Sequence, residues 1–270
     1  MADQRRAAEL AQATAIARRA GDAILRLAAD PEALVREKKA DQSWVTAADR
    51  ASERMIRAEL EAAFPGDSII GEEMGCRGLP TADRLWVIDP IDGTTNFVHG
   101  LPIWCVAVGL LEAGQPTVGV LYMPATNDMY AGAVDHGAWL NDAPMHVWNE
   151  RGPWTKTDPV GFSPNLLHRR PRFPASVRPR ILGSSQMHFG YVARGTFRAG
   201  MWRGDYLWDL VAGAALVRAA GGVVVDLGGH EPDFGCLTDG RRCDGGIIAC
   251  GPHSLHVVLE AARSMTRAEG

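Results

Sequence analysis

The chain has no run of apolar residues approaching the ~18 that a membrane-spanning helix needs, and its polar first stretch, Met1 to Glu9, lacks the continuous apolar core of a secretion signal. No membrane partner is therefore expected. The five cysteines, Cys76, Cys105, Cys236, Cys243 and Cys250, are odd in number and form no Cys-x-x-Cys pair, so free thiols in a reducing, cytoplasmic setting are the simplest reading. There is no Gly-x-x-x-x-Gly-Lys-Ser/Thr loop for a nucleoside triphosphate and no Gly-x-Ser-x-Gly elbow for a serine nucleophile. The eight histidines show neither His-x-His nor His-Glu-x-x-His spacing, which removes the usual zinc arrangements. A formal net charge of -4 offers no bulk attraction to a polyanion, so no nucleic-acid partner is expected either. Internal repeats and low-complexity tracts are also absent.

What is present is an ordinary globular composition, 46% hydrophobic and 22% charged over 270 residues, enough to bury a sizeable core. Leu10, Ile16, Ile24, Leu25 and Leu27 recur at helical spacing and predict a long first helix ending near Asp30-Pro31. Thr46, with Asp49 three residues on, reads as the start of a second helix that runs from Ala47 to Phe64 and stops at Pro65-Gly66. Strands are expected at 85–88, 106–110, 117–122 and 129–134, with a hairpin turn at Asp135-His136-Gly137. The Pro- and Arg-rich stretch from Trp148 to Arg180 predicts a long, partly irregular crossing between an N-terminal half (about 1–147) and a C-terminal half (about 180–270) of one unit spanning 1–270. Beyond it, 183–194, 210–220 and 255–265 read as helices, and 197–202, 223–225 and 247–249 as strands. Blocks of helices alternating with blocks of strands favour a layered sandwich over a doubly wound parallel sheet.

The chemistry concentrates in Asp89-Pro90-Ile91-Asp92-Gly93-Thr94-Thr95. Asp89 is expected at the end of an apolar strand that Pro90 terminates, and Gly93 allows close backbone approach before a helix opened by Thr94. A helix N-terminus offers unpaired N–H groups to a phosphate oxygen, and two carboxylates beside it are hard ligands of the kind magnesium takes. Taken alone, Asp-x-x-Asp-Gly equally describes an Asx-type turn with a capping threonine. Glu72 and Glu73 follow the apolar Ser68-Ile69-Ile70, where adjacent glutamates are costly unless a cation neutralises them. Asp209 stands at the entry to an apolar helix, where an N-cap is the competing role. Glu72, Asp89, Asp92 and Asp209 together suit two or more magnesium ions.

At these residues the chain resembles the inositol monophosphatase family. Asp89 to Phe97 and Trp208 to Gly213, with Ala220-Gly221-Gly222, look like its two signature segments. Ile70 to Glu73 and Lys38 to Asp49 look like its upstream metal-binding and N-terminal segments. The resemblance implies an alternating α/β/α/β/α layered sandwich of mixed α/β (α+β) class, a homodimer, two or three Mg2+ ions and sensitivity to lithium. It assigns Glu72, Asp89 and the Ile91 carbonyl to the first metal, Asp89, Asp92 and Asp209 to the second, and Glu72 to a third. Gly93 and Thr94 N–H groups would cradle the phosphate, while Thr94, supported by Asp49 and with Glu72, would activate the attacking water. Lys38, or Lys39 if the register slips by one, and Glu73 would support the cluster. The implied substrate is a small phosphate ester, either an inositol 1-phosphate-like ester, histidinol phosphate or fructose 1,6-bisphosphate. A non-catalytic regulatory member of the same fold is the alternative.

One position departs from the pattern. The family's inositol-contacting glutamate, seven residues before the Asp209 position, is replaced by Trp202, whose indole can donate but not accept a hydrogen bond. Asp205 is the nearest candidate replacement, and Gly183, Ser184 and Ser185 occupy the segment that meets substrate in the family. The arginines from Arg169 to Arg180 offer either a second anion contact or a solvated flank.

Overall fold

The computed structural model of the chain describes residues 2–28, 36–38, 44–166 and 171–266. Lys39, Arg169, Arg170 and the expected helix end at Asp30-Pro31 lie outside the described residues. Two helices, α1 (Ala2–Ala28) and α2 (Ala47–Ala63), form the first layer. Between them β1 (Arg36–Lys38) and β2 (Trp44–Thr46) pair antiparallel. Thr46 caps α2 in a full capping box, its hydroxyl accepting from Asp49 N while the Asp49 carboxylate accepts from Thr46 N at 2.8 Å.

The second layer is an eight-stranded sheet among the described residues. It contains β3 (Ser68–Gly71), β4 (Gly75–Arg77), β5 (Arg84–Asp92), β6 (Cys105–Glu112), β7 (Gln115–Met123), β8 (Asp128–Ala133), β9 (Gly137–Leu140) and β10 (Ala143–Pro144). Its spatial order is β10-β9-β8-β7-β6-β5-β3-β4, antiparallel except where β3 meets β5. A short helix, α3 (Thr94–Val98), follows β5. The third layer is the pair α4 (Ser185–Ala193) and α5 (Val211–Ala219), which lies between the eight-stranded sheet and a second, five-stranded one. That sheet takes β11 (Val160–Phe162), β12 (Pro179–Arg180), β13 (Ala199–Trp202), β14 (Val223–Asp226) and β15 (Ile247–Cys250) in the order β12-β11-β13-β15-β14. The last helix, α6 (Leu255–Thr266), closes the far face. The α/β/α/β/α stack expected from the resemblance is present.

Period-two alternation explains the layering. On β5, Trp86 and Ile88 face α1 and α2, while Leu85 and Val87 face α4 and α5. On β7, Val118 and Val120 go one way and Leu121 and Met123 the other. Both faces of the central strands are apolar because both are covered by helices. Of the apolar residues whose spacing marks α1, Leu10, Ile16 and Ile24 are buried while Leu25 is 42% exposed. A charge network ties α1 to this sheet: Glu9, only 2% exposed, meets Arg5, Arg6 and Arg84, and Arg84 also grips Asp67 through Nε at 2.8 Å.

The α5 helix lies unusually close to the sheet. A Cβ added at Gly109 would stand 2.8 Å from Ala212 N, and one at Gly119 would overlap the Ala212 carbonyl oxygen. Backbone thus meets backbone, and this close approach holds the Trp208-Asp209 segment near the end of β5. Gly119→Ala is expected to lift α5 and to cost about 1–3 kcal/mol, as overpacking of a tight core does. A lower urea midpoint with an unchanged m-value would show it; a midpoint equal to wild type would contradict this account.

Candidate active site

The site begins with an irregularity in β5. Asp89 pairs with Ala107 and Asp92 with Cys105, so three steps along β5 match two along β6. In a regular strand, side chains three residues apart point to opposite faces. One extra residue resets that alternation, so both carboxylates arrive on one side. Pro90 sits inside the bulge, where its missing N–H costs the ladder nothing. The expectation that Pro90 ends the strand at Asp89 is corrected accordingly: β5 runs to Asp92.

Asp209 comes from the 3-10 turn Leu207–Asp209 that leads into α5, its Oδ2 accepting from Tyr206 N at 2.7 Å. Ligand-capable oxygens of Asp89, Asp92 and Asp209 all lie within 4.8 Å of one another. Asp89 and Asp92 are buried and Asp209 is half-buried. Burial pushes the Asp89 carboxyl well above its usual range, followed by repulsion from Glu72, Asp92 and Asp209. Burial also raises Asp92, to about 7, although hydrogen bonds from Ser184, Gln186 and Ser185 oppose the shift. Asp209 rises for the same reason, then through Asp205, Asp92 and Glu72. Glu72 lines the same cleft from the turn after β3, so it joins the field without joining the tight triad. A buried, mutually repelling set of hard oxygen donors fits a divalent cation of the magnesium type.

Asp92 is also held from the other half of the chain. It lies at the N-terminus of α4, accepting from Ser185 N at 3.1 Å and Gln186 N at 2.9 Å, with the Ser184 hydroxyl also donating to it. The Ser184 hydroxyl further caps α4 by accepting from Met187 N at 3.2 Å. It is thus committed twice, and its expected contact with substrate is confined to its place in the cleft wall. Gln186, which no local motif marks, is fully buried and spans α4 and α5: it donates to Trp208 O at 2.6 Å and accepts from Gly213 N at 2.7 Å. Asn96 makes a similar bridge, donating to Ile103 O at 2.6 Å and Leu182 O at 2.7 Å. Neither could be read from local pattern, because each partner is distant in sequence or is backbone.

Gly93 is the N-cap of α3, with φ of 92°. A Cβ there would stand 3.0 Å from Ile103 O and 3.2 Å from Ser184 Cβ, so the position has room only for glycine. Beyond it the Thr94 hydroxyl donates to Ile91 O at 2.9 Å and lies 3.4 Å from Asp49 Oδ1. A hydroxyl has one proton, so Ile91 O and Asp49 compete for it. The expected pairing of Thr94 with Asp49 is present, with Ile91 O as the nearer acceptor.

The cleft has a volume of about 400 Å³, and its walls include Trp44, Glu72, Thr94, Pro164, Gly183, Ser185 and His188. Ser185 Oγ donates to Asp205 Oδ1 at 2.6 Å. Asp205 itself is buried behind Ser185 and does not line the cleft, and burial raises its carboxyl to about 6. Trp202 also stays out of the cleft. It is buried, stacks on Phe189 at 3.6 Å between ring centres, and donates to Ser185 O at 3.2 Å. Lys38 stands exposed, its ammonium 5.3 Å from the ring of Trp44, which lines the cleft, but Lys38 itself does not line it. Glu73 is half-buried and does not line the cleft; its N–H is held by Glu53 Oε2 at 2.7 Å. Of the arginine stretch, Arg172, Arg178 and Arg180 are exposed and none lines this cleft, which favours the solvated flank. A larger cavity of about 800 Å³ beside Trp154, Arg198 and Leu259 contains none of the site carboxylates.

Comparison with known proteins places the chain in a family. The inositol monophosphatase family model matches residues 6–262. Nus factor SuhB of Xylella fastidiosa is 35% identical over 223 residues, covering 80% of each chain. Inositol-1-monophosphatase of Mesorhizobium japonicum is 35% identical over 240 residues, covering 84% of this chain and 89% of its own. Among solved structures, the IMPase of Thermotoga maritima superposes with a TM-score of 0.78 at 28% identity, covering 95% of this chain and 97% of its own. Among the described residues, no helix is long and apolar enough to cross a membrane. With a match of that length on this layered fold, the chain belongs to the inositol monophosphatase family.

Proposed function

We propose that this protein is a magnesium-dependent phosphomonoesterase acting on a small sugar, polyol or amino-alcohol phosphate, as one unit spanning 1–270. The observation that carries the reading is the convergence of Asp89, Asp92 and Asp209 within 4.8 Å beside the backbone of Gly93 and Thr94. Asp89, Asp92, Asp209, Glu72 and the Ile91 carbonyl would hold the ions. Two or three Mg2+ ions would supply Lewis acidity toward water and the phosphoryl oxygens, and the charge that lets the carboxylates ionise together.

The chain's own groups then divide the remaining work. N–H groups in the first turn of a helix have no intrahelical acceptor, so those of Gly93 and Thr94 are available to a phosphate oxygen. Thr94 Oγ1 orients the attacking water and relays its proton to Asp49 Oδ1. Asp49 is itself fixed by the α2 capping box, so the acceptor does not move. Catalysis by such a site is mainly position and charge.

On the alcohol side, Ser185 donates to Asp205 and so offers its lone pairs to a substrate hydroxyl or ammonium. Trp202 supplies no acceptor, which argues against inositol 1-phosphate as the preferred ester. Lithium inhibition, a homodimer and a cytoplasmic setting belong to the same proposal. A second reading, a regulatory member that keeps the fold, draws support from relatives named Nus factor SuhB at an identity equal to that of an inositol-1-monophosphatase. Those names leave the expected lack of a nucleic-acid partner without support.

Three measurements bear on this. Asp92→Asn is expected to lower Mg2+-stimulated phosphate release at least about a hundredfold, while above about pH 7, where wild-type Asp92 is ionised, the metal-free variant is relieved of one repelling charge and melts no lower than wild type. Undiminished turnover would sink the site assignment. A phosphate-release screen across polyol, sugar, histidinol and nucleotide monophosphates, with and without Mg2+, should show inositol 1-phosphate outperformed by another ester; silence toward all of them would favour the regulatory reading. The third measurement is pH-dependent. The folded protein holds a proton on Asp92 up to about pH 7, whereas an unfolded chain releases it near pH 4. In chelator, this contribution to stability is therefore full below about pH 4, declines as the pH rises toward 7, and stays lost above that. Mg2+ should raise the melting temperature more at pH 8 than at pH 5, and an equal response at both would count against a cation at this cluster.

A further inference from the structure

The turn that carries Glu72 is a weak element in an otherwise packed site. It joins β3 to β4, and β4 is a three-residue edge strand whose residues are all exposed. Met74, at the tip, is 50% exposed. Little apolar burial fixes such a turn, yet its first residue, Glu72, must face the carboxylate triad. Its own ladder contact is one long hydrogen bond, Glu72 N to Ile88 O at 3.3 Å.

A further constraint on the turn comes from α2. Asp49, Glu53 and Arg57 stand at successive i, i+4 positions and form a buried polar stripe on that helix. Glu53 is 0% exposed. Its carboxylate accepts from Glu73 N at 2.7 Å and Met74 N at 3.1 Å, the two backbone donors that follow Glu72. Arg57 Nε donates to the same carboxylate at 2.8 Å, and Arg57 Nη2 donates to Gly75 O at the end of the turn. Gly71 makes room, since a Cβ there would overlap Glu53 Oε1. A buried ion pair is a poor way to gain stability compared with apolar packing. A carboxylate with two acceptor oxygens is, however, the group that can grip two consecutive N–H donors.

We propose that Glu53, braced by Arg57, is a positioning residue for cation binding, because it fixes the turn from which Glu72 faces Asp89, Asp92 and Asp209. The inference rests on the cation reading of the site given above. Glu53 does not line the cleft and touches neither substrate nor the triad, so it acts only through the turn. One helix then sets two parts of the site, Asp49 behind Thr94 and, one turn later, Glu53 behind Glu72.

The test compares wild type, Glu53→Gln and Arg57→Lys. Gln replaces one acceptor oxygen with a donor that faces an N–H, and Lys keeps the charge but loses the fork. Mg2+ affinity is read by calorimetry, and phosphate release is followed against Mg2+ concentration. Glu53→Gln should bind Mg2+ about tenfold or more weakly, as loss of a partner behind a metal ligand does. The Mg2+ concentration for half-maximal release should rise by the same factor, with kcat at saturating Mg2+ held within about threefold. Arg57→Lys should move the same way by less. A folded Glu53→Gln with unchanged Mg2+ affinity, even with a lower melting temperature, overturns the proposal; if that variant does not fold, Arg57→Lys decides by the same criterion. A wild type that binds no Mg2+ overturns the cation reading and this inference with it. A wild type that binds Mg2+ but releases no phosphate overturns the phosphatase reading alone, and calorimetry still decides the role of Glu53.

Discussion

Like charges resist being brought together away from water, and this chain gathers two buried carboxylates and one half-buried carboxylate within 4.8 Å. That repulsion has to be overcome by covalent and packing constraints that the surrounding structure supplies. The bulge in β5 forces Asp89 and Asp92 to one side. The N-terminus of α4 directs two N–H groups at Asp92, and backbone contact between α5 and the sheet holds Asp209 in place. The mutual repulsion that makes the cluster costly without a cation is what a bound cation would relieve. The layered fold can be understood as what makes that arrangement stable.

The two halves of the chain are fastened at the site by side chains that bridge them. Asn96 ties α3 to the loop before Gly183, and Asp92 accepts from Ser184, Ser185 and Gln186 at the start of α4, while Gln186 fastens α4 to α5 within the second half. The middle apolar cluster draws on strands from both sides of the Pro-rich crossing, from Ile70 through Ala249. The acidic triad is thus an inter-half feature: β5 contributes two members and the segment before α5 the third.

Family membership and substrate choice separate along a physical line. On the function proposed above, the acidic triad and the Gly93 backbone would serve the phosphate, which every phosphate-ester substrate shares. Ser185, with Asp205 hydrogen-bonded behind it, Pro164 and His188 form other parts of the cleft wall, where the alcohol of such an ester would lie. Trp202 stacks on Phe189 instead of reaching the cleft, so it adds core packing and contributes no group to the cleft wall. Relatives of similar identity carry names as different as Nus factor and inositol-1-monophosphatase, consistent with a common phosphate end and divergent surroundings.

Features set by near neighbours in the chain are legible in the sequence itself. The capping box of Thr46 and Asp49 depends on a three-residue spacing, and the strands on period-two alternation; both are local rules that hold wherever the segment lies. The acidic residues, Gly93 and Thr94 are legible for the same reason, as is the layered class. Tertiary structure alone decided the rest. A bulge that turns Asp89 and Asp92 to one face cannot be told from a strand end at Pro90 by spacing. The commitment of Ser184 to Asp92, the burial of Asp205 and Trp202, and the grip of Glu53 on the Glu72 turn each join residues or backbone groups brought together by packing. Local chemistry names the groups; the direction each one faces is a sum over distant contacts, and only the folded chain performs that sum.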